Sequence, residues 1–545
     1  MMNDKNLILI PARSGSTNIS RQNLRFINNK PLIYYVIKTA LKYTNNVYVS
    51  TDSNEIKEIS KLFGAKIILR PKKLTRDSTK LEDIAYHALT RISKQKDYDS
   101  CLILNPKYPL IEYSTIKKIF STLDKKVQTV FGFAFNPDHQ YKKIQFNENY
   151  GGKIIDDLKN CVITEKIVSF KVNRFLKERR FSLPFYGLKL NKNEPLALES
   201  YHDFGILERI LNRKRILVRV DGSQTMGLGH VHNMLTILNH FRNEEILIVM
   251  DEKSKLGNKK FKEHLYNVKF FKTDNEFLKI IKQFKPNIIF NDVLNTEKNY
   301  MKKIKSGKIF VVNFEDLGTG RKDADLVFNP IFYSKKNYSN EYYGPDFACV
   351  RDEFRLWEPI KIKKNIKKVT IIFGGIDPTN KTFQILKILE KFQLKNLTYS
   401  IVIGQDYKNK NQLLKLIGEM KKQGFQIILN ENVELLSKIF HESDFAITSN
   451  GRTVFELGSL HVPMIVIPVN KREKTHNFVE KYNVGYIIKN LSEPTNEEFL
   501  SIFKSMLKYQ NRRKFHENLK KIKLLYGVDR VVNKINLVYE QKNKI

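Results

Sequence analysis

A histidine follows two closely spaced glycines in the stretch TMGLGHVHNML, residues 225–235. The segment before it, RILVRVDGS, has the β-branched composition of a buried strand, so the pattern predicts a strand, a glycine loop and a helix. The first amides of such a helix lack partners and point toward whatever occupies the loop. A neutral imidazole at His230 can deprotonate a water beside a phosphate. From the motif alone, a helix-capping loop with a solvated histidine is an equally good interpretation.

A second glycine cluster, FGGIDPTNKT, follows another predicted strand. Gly374 and Gly375 end that strand and let the backbone approach a ligand closely. Asp377 and Asn380 are alternative caps for the helix that comes next.

The third cluster is TSNGRTVFEL. Gly451 and Thr453 lie at a predicted helix start, and Glu456 lies one turn later, where it can accept hydrogen bonds from a ribose diol. All three clusters are expected at the carboxyl ends of parallel strands, where α/β sheets bind their ligands. Together they favour a nucleotide site over ordinary turns.

Short apolar strands alternate with amphipathic helices from residue 7 onward, which predicts parallel sheets covered on both faces. The alternation loosens from residue 136 to 195 and resumes after residue 214. We therefore predict an α/β protein with a first domain at residues 1–213. Residues 214–360 and 361–545 form two further α/β halves with a ligand cleft between them.

Composition narrows the class of protein. The 545 residues include 95 Lys and Arg against 57 Asp and Glu, a net charge of +38. The lysines are spread along the chain without a dense basic block, so no nucleic-acid partner is predicted. No apolar run approaches the roughly 20 residues of a membrane span, and no signal peptide is recognisable. We expect a cytoplasmic protein without membrane insertion.

Five motifs occur in order: VRVDGSQTMGLGHV, VVNFEDL, YYGPDFACVRDEF, FGGIDPTNKT and SNGRTVFELGSLHVPMIVIPVN. They resemble the nucleotide-sugar hydrolases of pseudaminic and legionaminic acid synthesis, relatives of the spore-coat polysaccharide glycosyltransferase-like proteins. The resemblance covers nearly all of residues 216–490 and implies the two-lobed glycosyltransferase B architecture. It implies that His230 deprotonates the attacking water and that a 2,4-diacetamido-2,4,6-trideoxyhexose leaves UDP with inversion and without a metal or other cofactor. The residues expected at the UDP-sugar are Asp221, Gly227, Gly229, Gly374, Gly375, Gly451, Thr453, Glu456 and Asn477.

Two positions depart from that family. Relatives usually carry Arg after Gly-His-Val-Met, whereas His232 and Asn233 follow Val231 here, and we expect His232 on the surface. The segment NKREKTHNF stands where many relatives have Asn-Gln, with His476 and Asn477 as candidate nucleotide contacts. These differences bear on the identity of the substrate more than on the class of reaction.

The N-terminal stretch LILIPARSGSTNISRQNLRFINNKPLIYYVI, with VYVSTDSNEI, LRPKKLTRDSTKLEDIAYHAL and LILNPKYPL, resembles CMP-sialic acid synthetases and related acylneuraminate cytidylyltransferases. The resemblance is strong over residues 7–135 and weaker to residue 212. It implies a nucleotidyltransferase domain, Rossmann-like and glycosyltransferase A-like, that uses CTP and Mg²⁺. Glu199 alone remains of the family's Asp-x-Asp metal pair. The residues expected at CTP are Arg13, Gly15, Ser16, Arg21, Asn23 and Asn105.

Several nucleotide-binding positions differ from that family. Thr17 and Gln22 replace loop lysines, which supply point charges to a polyphosphate. Ala197 replaces one metal-binding Asp, and a lone carboxylate binds Mg²⁺ poorly unless phosphates complete its shell. The family's QPTSP segment reads NPKYP here. The domain is therefore either a working cytidylyltransferase with an altered loop or, slightly favoured, a fold retained for binding or assembly.

Together, these motifs predict a bifunctional protein of nonulosonic acid synthesis that acts on a nucleotide sugar and CTP, with a nonulosonic acid synthase or a second copy as possible partners. Two alternatives remain open at this point. One is a glycosyltransferase in which His230 deprotonates an acceptor hydroxyl. The other is a non-catalytic sugar-nucleotide-binding protein with an assembly role.

Overall fold

The computed structural model divides into two compact units, Met1–Asn212 and Arg213–Ile545. The residues that the structure describes are 5–15, 18–76, 78–93, 97–123, 127–135, 161–222, 228–254, 257–305, 308–332, 338–404, 407–489 and 496–543. Within these ranges, none of the helices combines the length and apolar character that a bilayer crossing requires.

The N-terminal unit is built on a seven-stranded sheet. Its strands are β1 (Asn6–Pro11), β2 (Phe26–Ile27), β3 (Lys30–Pro31), β4 (Val47–Thr51), β5 (Lys66–Leu69), β6 (Ser100–Leu104), β7 (Thr129–Phe135), β8 (Cys161–Lys171) and β9 (Phe185–Lys189). Its helices are α1 (Leu32–Leu41), α2 (Asn54–Leu62), α3 (Leu81–Ile92), α4 (Tyr113–Thr122), α5 (Val172–Glu178) and α6 (Tyr201–Leu211).

The sheet of this unit has the strand order β5-β4-β1-β6-β8-β7-β9, and β2 pairs with β3 separately. Strand β1 is central, parallel to β4 and β6, and apolar on both faces because helices cover both sides. Strand β8 runs antiparallel to both β6 and β7. The sheet is therefore mixed, whereas the sequence pattern predicted a parallel sheet. Strand β8 lies in the part of the sequence where the strand and helix alternation loosens.

The second unit contains two parallel sheets. Its strands are β10 (Arg215–Val220), β11 (Glu245–Asp251), β12 (Asn267–Phe271), β13 (Ile288–Asp292), β14 (Phe310–Phe314), β15 (Leu326–Asn329), β16 (Glu341–Tyr343), β17 (Lys368–Ile372), β18 (Thr398–Ile403), β19 (Gln426–Glu431), β20 (Phe445–Thr448), β21 (Met464–Val466) and β22 (Gly485–Ile487). Its helices are α7 (Gly229–Leu238), α8 (Asn258–Glu263), α9 (Asp274–Phe284), α10 (Lys298–Ile304), α11 (Lys381–Lys391), α12 (Lys410–Lys422), α13 (Leu436–His441), α14 (Thr453–Ser459), α15 (Phe478–Tyr482), α16 (Asn496–Leu507), α17 (Tyr509–Lys520) and α18 (Gly527–Asn543).

The strand orders are β12-β11-β10-β13-β14-β15-β16 in the first sheet and β19-β18-β17-β20-β21-β22 in the second. In each sheet the first strand in sequence is central and the order reverses beside it, which is the doubly wound arrangement. Two such sheets in one unit confirm the predicted α/β fold class. The switch points lie between β10 and β13 and between β17 and β20, where ligand-binding loops are expected.

The last helix, α18, packs against the first sheet of this unit rather than the second. Val528, Val531, Val532 and Ile535 of α18 are buried in the core formed by the first sheet and α7. At Gly527 a Cβ atom would lie 1.9 Å from the carbonyl oxygen of Ala348, so only glycine permits this close approach. The predicted C-terminal lobe, residues 361–545, therefore ends in a helix that packs on the other lobe.

Candidate functional site

His230 is the second residue of α7, and its side chain forms a buried pair with Asp292. Strand β13 ends at Asp292, which pairs in register with Val220 at the end of β10, so the carboxylate lies beside the start of α7. His230 Nδ1 is 2.5 Å from Asp292 Oδ1. Because an ionised carboxylate only accepts hydrogen bonds, Nδ1 carries the proton and Nε2 is the acceptor. This is the tautomer that a general base of the Nε2 type requires.

Asn233 completes the environment of that carboxylate. Its Nδ2 donates to Asp292 Oδ2 at 2.7 Å, from one turn further along α7. Both carboxylate oxygens of the fully buried Asp292 are thus hydrogen-bonded, which offsets the cost of burying its charge. His230 is therefore held from one side by a satisfied and rigid partner.

Two arginines from the second sheet's loops close the site. Arg472 Nη1 lies 3.2 Å from His230 Nε2, and its Nη2 donates to Glu315 Oε2 at 2.8 Å. Arg452 Nη1 donates to Asn233 Oδ1 at 2.6 Å, and its Nη2 lies 2.6 Å from Glu315 Oε1. The contacts form a closed ring of the six side chains His230, Asp292, Asn233, Arg452, Glu315 and Arg472.

Glu315 is the anionic centre of the arginine side of this ring. It is only 3% exposed and follows β14 with a φ of 52°, a left-handed conformation that costs energy for a residue with a Cβ. Burial alone would raise the pKa of Glu315, but the charges of Arg452 and Arg472 hold that pKa down at about 2. Arg452 Nη2 lies within ion-pair distance of this carboxylate but has no aligned hydrogen bond among the described residues.

The loops that carry the arginines are braced by Glu473, Asn450 and His476. Glu473 Oε2 accepts from the backbone amides of Asn450 and Val469, both at 3.0 Å. Asn450 Nδ2 donates to the carbonyls of Glu473 and His476, and His476 Nδ1 lies 2.5 Å from the carbonyl of Asn450. Burial lowers the pKa of His476, so its imidazole is neutral at neutral pH, with Nε2 buried and unpaired within the described part of the chain. The expected contact of His476 with a nucleotide stays a prediction.

The glycine clusters have different local roles. Gly229 begins α7 beside Arg452, whereas Gly227 lies outside the described residues. Gly374 has a φ of 75°. The backbone of Gly375 lies so close to Gly404 that a Cβ atom on Gly404 would be 2.4 Å from the carbonyl oxygen of Gly375. Of the two candidate caps for α11, Asp377 is the residue whose side chain caps the helix: its carboxylate accepts hydrogen bonds from the amides of residues 381 and 382.

Other predicted contacts are already paired or differ from expectation. Glu456 Oε1 accepts from Arg351 Nε at 2.8 Å, and Asp221 forms an ion pair with Arg219. Thr453 begins α14, where Gly451 lies near Glu473, and Asn477 precedes α15. These residues stay predicted UDP-sugar contacts.

The expectation that His232 lies on the surface is wrong. Its side chain is partly buried because almost every face of α7 is covered. Burial, with Arg351 and other nearby cations, lowers the pKa of His232 to about 4. His232 is therefore a neutral side chain next to the site.

The N-terminal unit arranges its polar loop around Asp52. Asp52 accepts from the amide and hydroxyl of Ser14, at 3.0 and 2.7 Å. Arg13 Nη1 donates to the carbonyl of Thr75, and Asn23 Nδ2 donates to the carbonyl of Arg13. Of the residues expected at CTP, Arg13 and Asn23 therefore form hydrogen bonds that hold this loop in place. Gly15 has open space where a side chain would lie.

The remaining expected CTP contacts are less closely grouped. Arg21 forms an exposed ion pair with Glu55 at 2.9 Å, and Asn105 Oδ1 accepts from the amide of Lys107. Ser16 lies outside the described residues. These contacts with CTP stay predictions.

Arg70 is a candidate that the motifs contained but did not single out. It follows β5 and is 5% exposed, yet Nε and Nη2 have no hydrogen-bond partner among the described residues. Burial lowers the pKa of Arg70, an effect that the charge of Asp52 opposes. A buried guanidinium with two unused donors fits a phosphate ligand. The signal in the sequence was the arginine directly after the strand in KIILRPKKL.

The residues near Glu199 do not fit a protein-held magnesium ion. Glu199 is half-exposed and lies 3.5 Å from Lys107 Nζ, so an ammonium occupies the side where a cation would be needed. Ala197 brings no ligand, and the carbonyl of Leu198 accepts from Gln22 Nε2. Across the described ranges, no three His, Cys, Asp or Glu side chains are grouped to hold a metal. Hard divalent cations need several oxygen ligands, which this arrangement lacks.

Comparison with known proteins agrees with the two-part organisation. Residues 7–158, within the N-terminal unit, match the family model described as cytidylyltransferase. The chain is 25% identical over 492 residues to the Helicobacter pylori pseudaminic acid cytidylyltransferase and UDP-2,4-diacetamido-2,4,6-trideoxy-beta-L-altropyranose hydrolase, covering 85% of this chain and 88% of that one. The resemblance drawn from the motifs is thereby confirmed.

Two further matches cover parts of the chain. An uncharacterised Methanocaldococcus jannaschii protein is 28% identical over 300 residues, which are 50% of this chain and 60% of that protein's length. MurG of Acinetobacter baumannii has a TM-score of 0.46 at 14% identity, covering 59% of this chain and 99% of MurG.

Proposed function

We propose that the second unit hydrolyses a UDP-2,4-diacetamido-2,4,6-trideoxyhexose to UDP and free sugar, with His230 as the general base. The observation that carries the proposal is the buried His230–Asp292 pair, which leaves Nε2 as the acceptor nitrogen, 3.2 Å from Arg472 Nη1 in the ring that also contains Arg452. A base and a pair of guanidinium groups are the two components that attack by water and departure of a diphosphate require.

In the proposed reaction, a water oxygen attacks the anomeric carbon and its proton passes to His230 Nε2. The electron pair of the bond between that carbon and the diphosphate oxygen leaves with UDP. Asp292 stabilises the imidazolium that forms, as the carboxylate does in other His–Asp pairs. Arg452 and Arg472 balance the charge that develops on the leaving diphosphate. None of these proposed steps uses a metal ion.

For the N-terminal unit we propose CTP binding and transfer of CMP to a nonulosonic acid. The supporting observations are the match to the cytidylyltransferase family model and the buried, partly unpaired guanidinium of Arg70. The two activities belong to one biosynthetic route but are separated by a condensation with phosphoenolpyruvate. A nonulosonic acid synthase that docks on the protein would connect them. A second copy of the chain is the other partner proposed, and the proposed location is the cytoplasm.

The test is UDP release from UDP-2,4-diacetamido-2,4,6-trideoxyhexoses by the full chain, with His230→Ala beside it. We expect UDP and free sugar from the wild type and a loss of at least about a hundredfold in the variant. Equal rates in the two proteins would overturn the assignment of the base. UDP release that depends on an added acceptor alcohol would show a glycosyltransferase instead.

A further inference from the structure

The acceptor nitrogen of the proposed base is already occupied in this structure. Arg472 Nη1 lies 3.2 Å from His230 Nε2, while Nδ1 is engaged with Asp292. A neutral imidazole has one acceptor lone pair, and a guanidinium has only donors. A water molecule cannot pass its proton to Nε2 while Arg472 occupies that lone pair.

Of its two contacts, Arg472 holds Glu315 more firmly than His230. The bond to the carboxylate is charge-assisted and 2.8 Å long, whereas the contact with the neutral imidazole is 3.2 Å. Arg472 can therefore leave His230 by turning its guanidinium and still be anchored at Glu315.

The two arginines also differ in their freedom to move. The side chain of Arg472 is 33% exposed, compared with 17% for Arg452, whose Nη1 is held by Asn233 at 2.6 Å. Arg472 belongs to the segment NKREKTHNF, and a short 3-10 helix begins directly after it at Glu473. An anion that binds beside these residues would contact a fixed arginine, Arg452, and a more mobile one, Arg472.

We propose that Arg472 is a cap on the base that a diphosphate ligand removes. Without a ligand, the guanidinium occupies His230 Nε2. A nucleoside diphosphate sugar then draws the guanidinium to its phosphates, because a charged acceptor binds it more strongly than a neutral nitrogen does. Nε2 becomes available to the attacking water only at that point. The inference rests on the proposed function, since it takes the ligand to be a diphosphate.

This arrangement makes Arg472 a specificity-determining residue. A sugar glycoside or another ligand without a diphosphate would leave the guanidinium on Nε2 and the base unavailable. Selection therefore acts on the leaving group before any chemistry takes place.

The experiment follows the imidazole nitrogens of His230 by NMR in the full chain with ¹⁵N-labelled histidine, and His230→Gln identifies the resonance. Arg472→Gln removes the cap. Lys471→Gln is the matched control, because it removes the neighbouring exposed charge from the same loop. The probe is UDP, and calorimetry on the same samples reports whether it binds.

We expect saturating UDP to move the Nε2 resonance of the wild type and of Lys471→Gln. In Arg472→Gln the resonance should start at a different position and move by less than half as much. Arg472→Lys, which keeps a donor and guards against misfolding, should lie between them. An Nε2 resonance that is the same in wild type and Arg472→Gln, or that bound UDP leaves unmoved, would overturn the proposal.

Hydrolysis measured on the same samples separates this inference from the proposed function. Intact UDP-sugar hydrolysis with an unresponsive His230 contradicts the cap alone. A His230 that responds to UDP in a protein that hydrolyses none of the UDP-sugars contradicts the proposed hydrolase instead.

Discussion

The two units place polar side chains at the ends of parallel strands, but they treat buried charge in opposite ways. In the second unit, His230, Asp292, Asn233, Glu315, Arg452 and Arg472 form a closed ring of mutual contacts. In the N-terminal unit, the buried guanidinium of Arg70 keeps two donors unpaired among the described residues. A base must be oriented before its substrate arrives, whereas a phosphate-binding cation can obtain its partner from the ligand.

The largest expected effect comes from breaking the ring at Asp292. In Asp292→Asn, the amide can donate to Nδ1 and so favour the tautomer in which Nε2 carries the proton. We expect the rate of UDP release to fall about a thousandfold with little change in fold. Asp274→Asn, at an exposed ion pair with Lys303, is the control and should behave like the wild type. A loss below about tenfold in Asp292→Asn would show that Asp292 does not orient the base.

The ring should also stabilise the second unit in a pH-dependent way through Glu315. The pKa of Glu315 is held at about 2, below its ordinary value of 4.5, so its contribution is fully present above pH 4.5 and is lost as the pH falls toward 2. At pH 7, Glu315→Gln should lower the free energy of unfolding by about 3 kcal/mol. Urea unfolding from pH 7 to 3.5 should show the difference shrinking below pH 4.5.

The control for this measurement is Glu480→Gln, which alters an exposed pair with Lys489 and should change the stability little at any pH. A difference between wild type and Glu315→Gln that does not vary with pH would contradict the ionised state assigned to Glu315.

The comparison predicts the opposite stability result in the N-terminal unit. Arg70→Gln removes a buried cation whose Nε and Nη2 have no hydrogen-bond partner among the described residues, so thermal stability should stay the same or rise. CTP affinity, measured by calorimetry, should fall at least about tenfold because charge-assisted bonds to phosphate are lost. Arg174→Gln, on an exposed helix, should change neither. A less stable protein with unchanged CTP affinity would show that Arg70 is a structural residue.

The smallest effect is expected at Glu199. Its contact with Lys107 is 3.5 Å long and half-exposed, and such pairs contribute little. Glu199→Gln should therefore change CTP affinity by less than about twofold, with or without Mg²⁺. A loss of tenfold or more that appears only with Mg²⁺ would identify Glu199 as a metal ligand.

Outside residues 136–195, the sequence predicted most strands of both units and the place of His230 at the start of a helix, because these depend on local periodicity and glycine spacing. Asp292 was missed, although it ends the predicted strand PNIIFNDV. Only the order of strands in the sheet, β10 beside β13, shows that its carboxylate faces His230.

The arginine side of the site was harder to foresee. Arg472 is 242 positions from His230, and its contact depends on how the two lobes pack. Arg452 lies between Gly451 and Thr453 in the motif TSNGRTVFEL, but the motif alone gave it no role. The expectation that His232 lies on the surface was wrong because almost every face of α7 is covered by packing, whereas the sequence pattern of a helix indicates only one buried face.

The most direct test of the central claim is hydrolysis in H₂¹⁸O by the full chain. If water activated by His230 attacks the anomeric carbon, the released sugar carries ¹⁸O, the UDP carries none, and His230→Ala abolishes labelling. Label in the UDP would show attack at phosphorus, and unchanged labelling in His230→Ala would show that another group is the base. Either of these results would contradict the account.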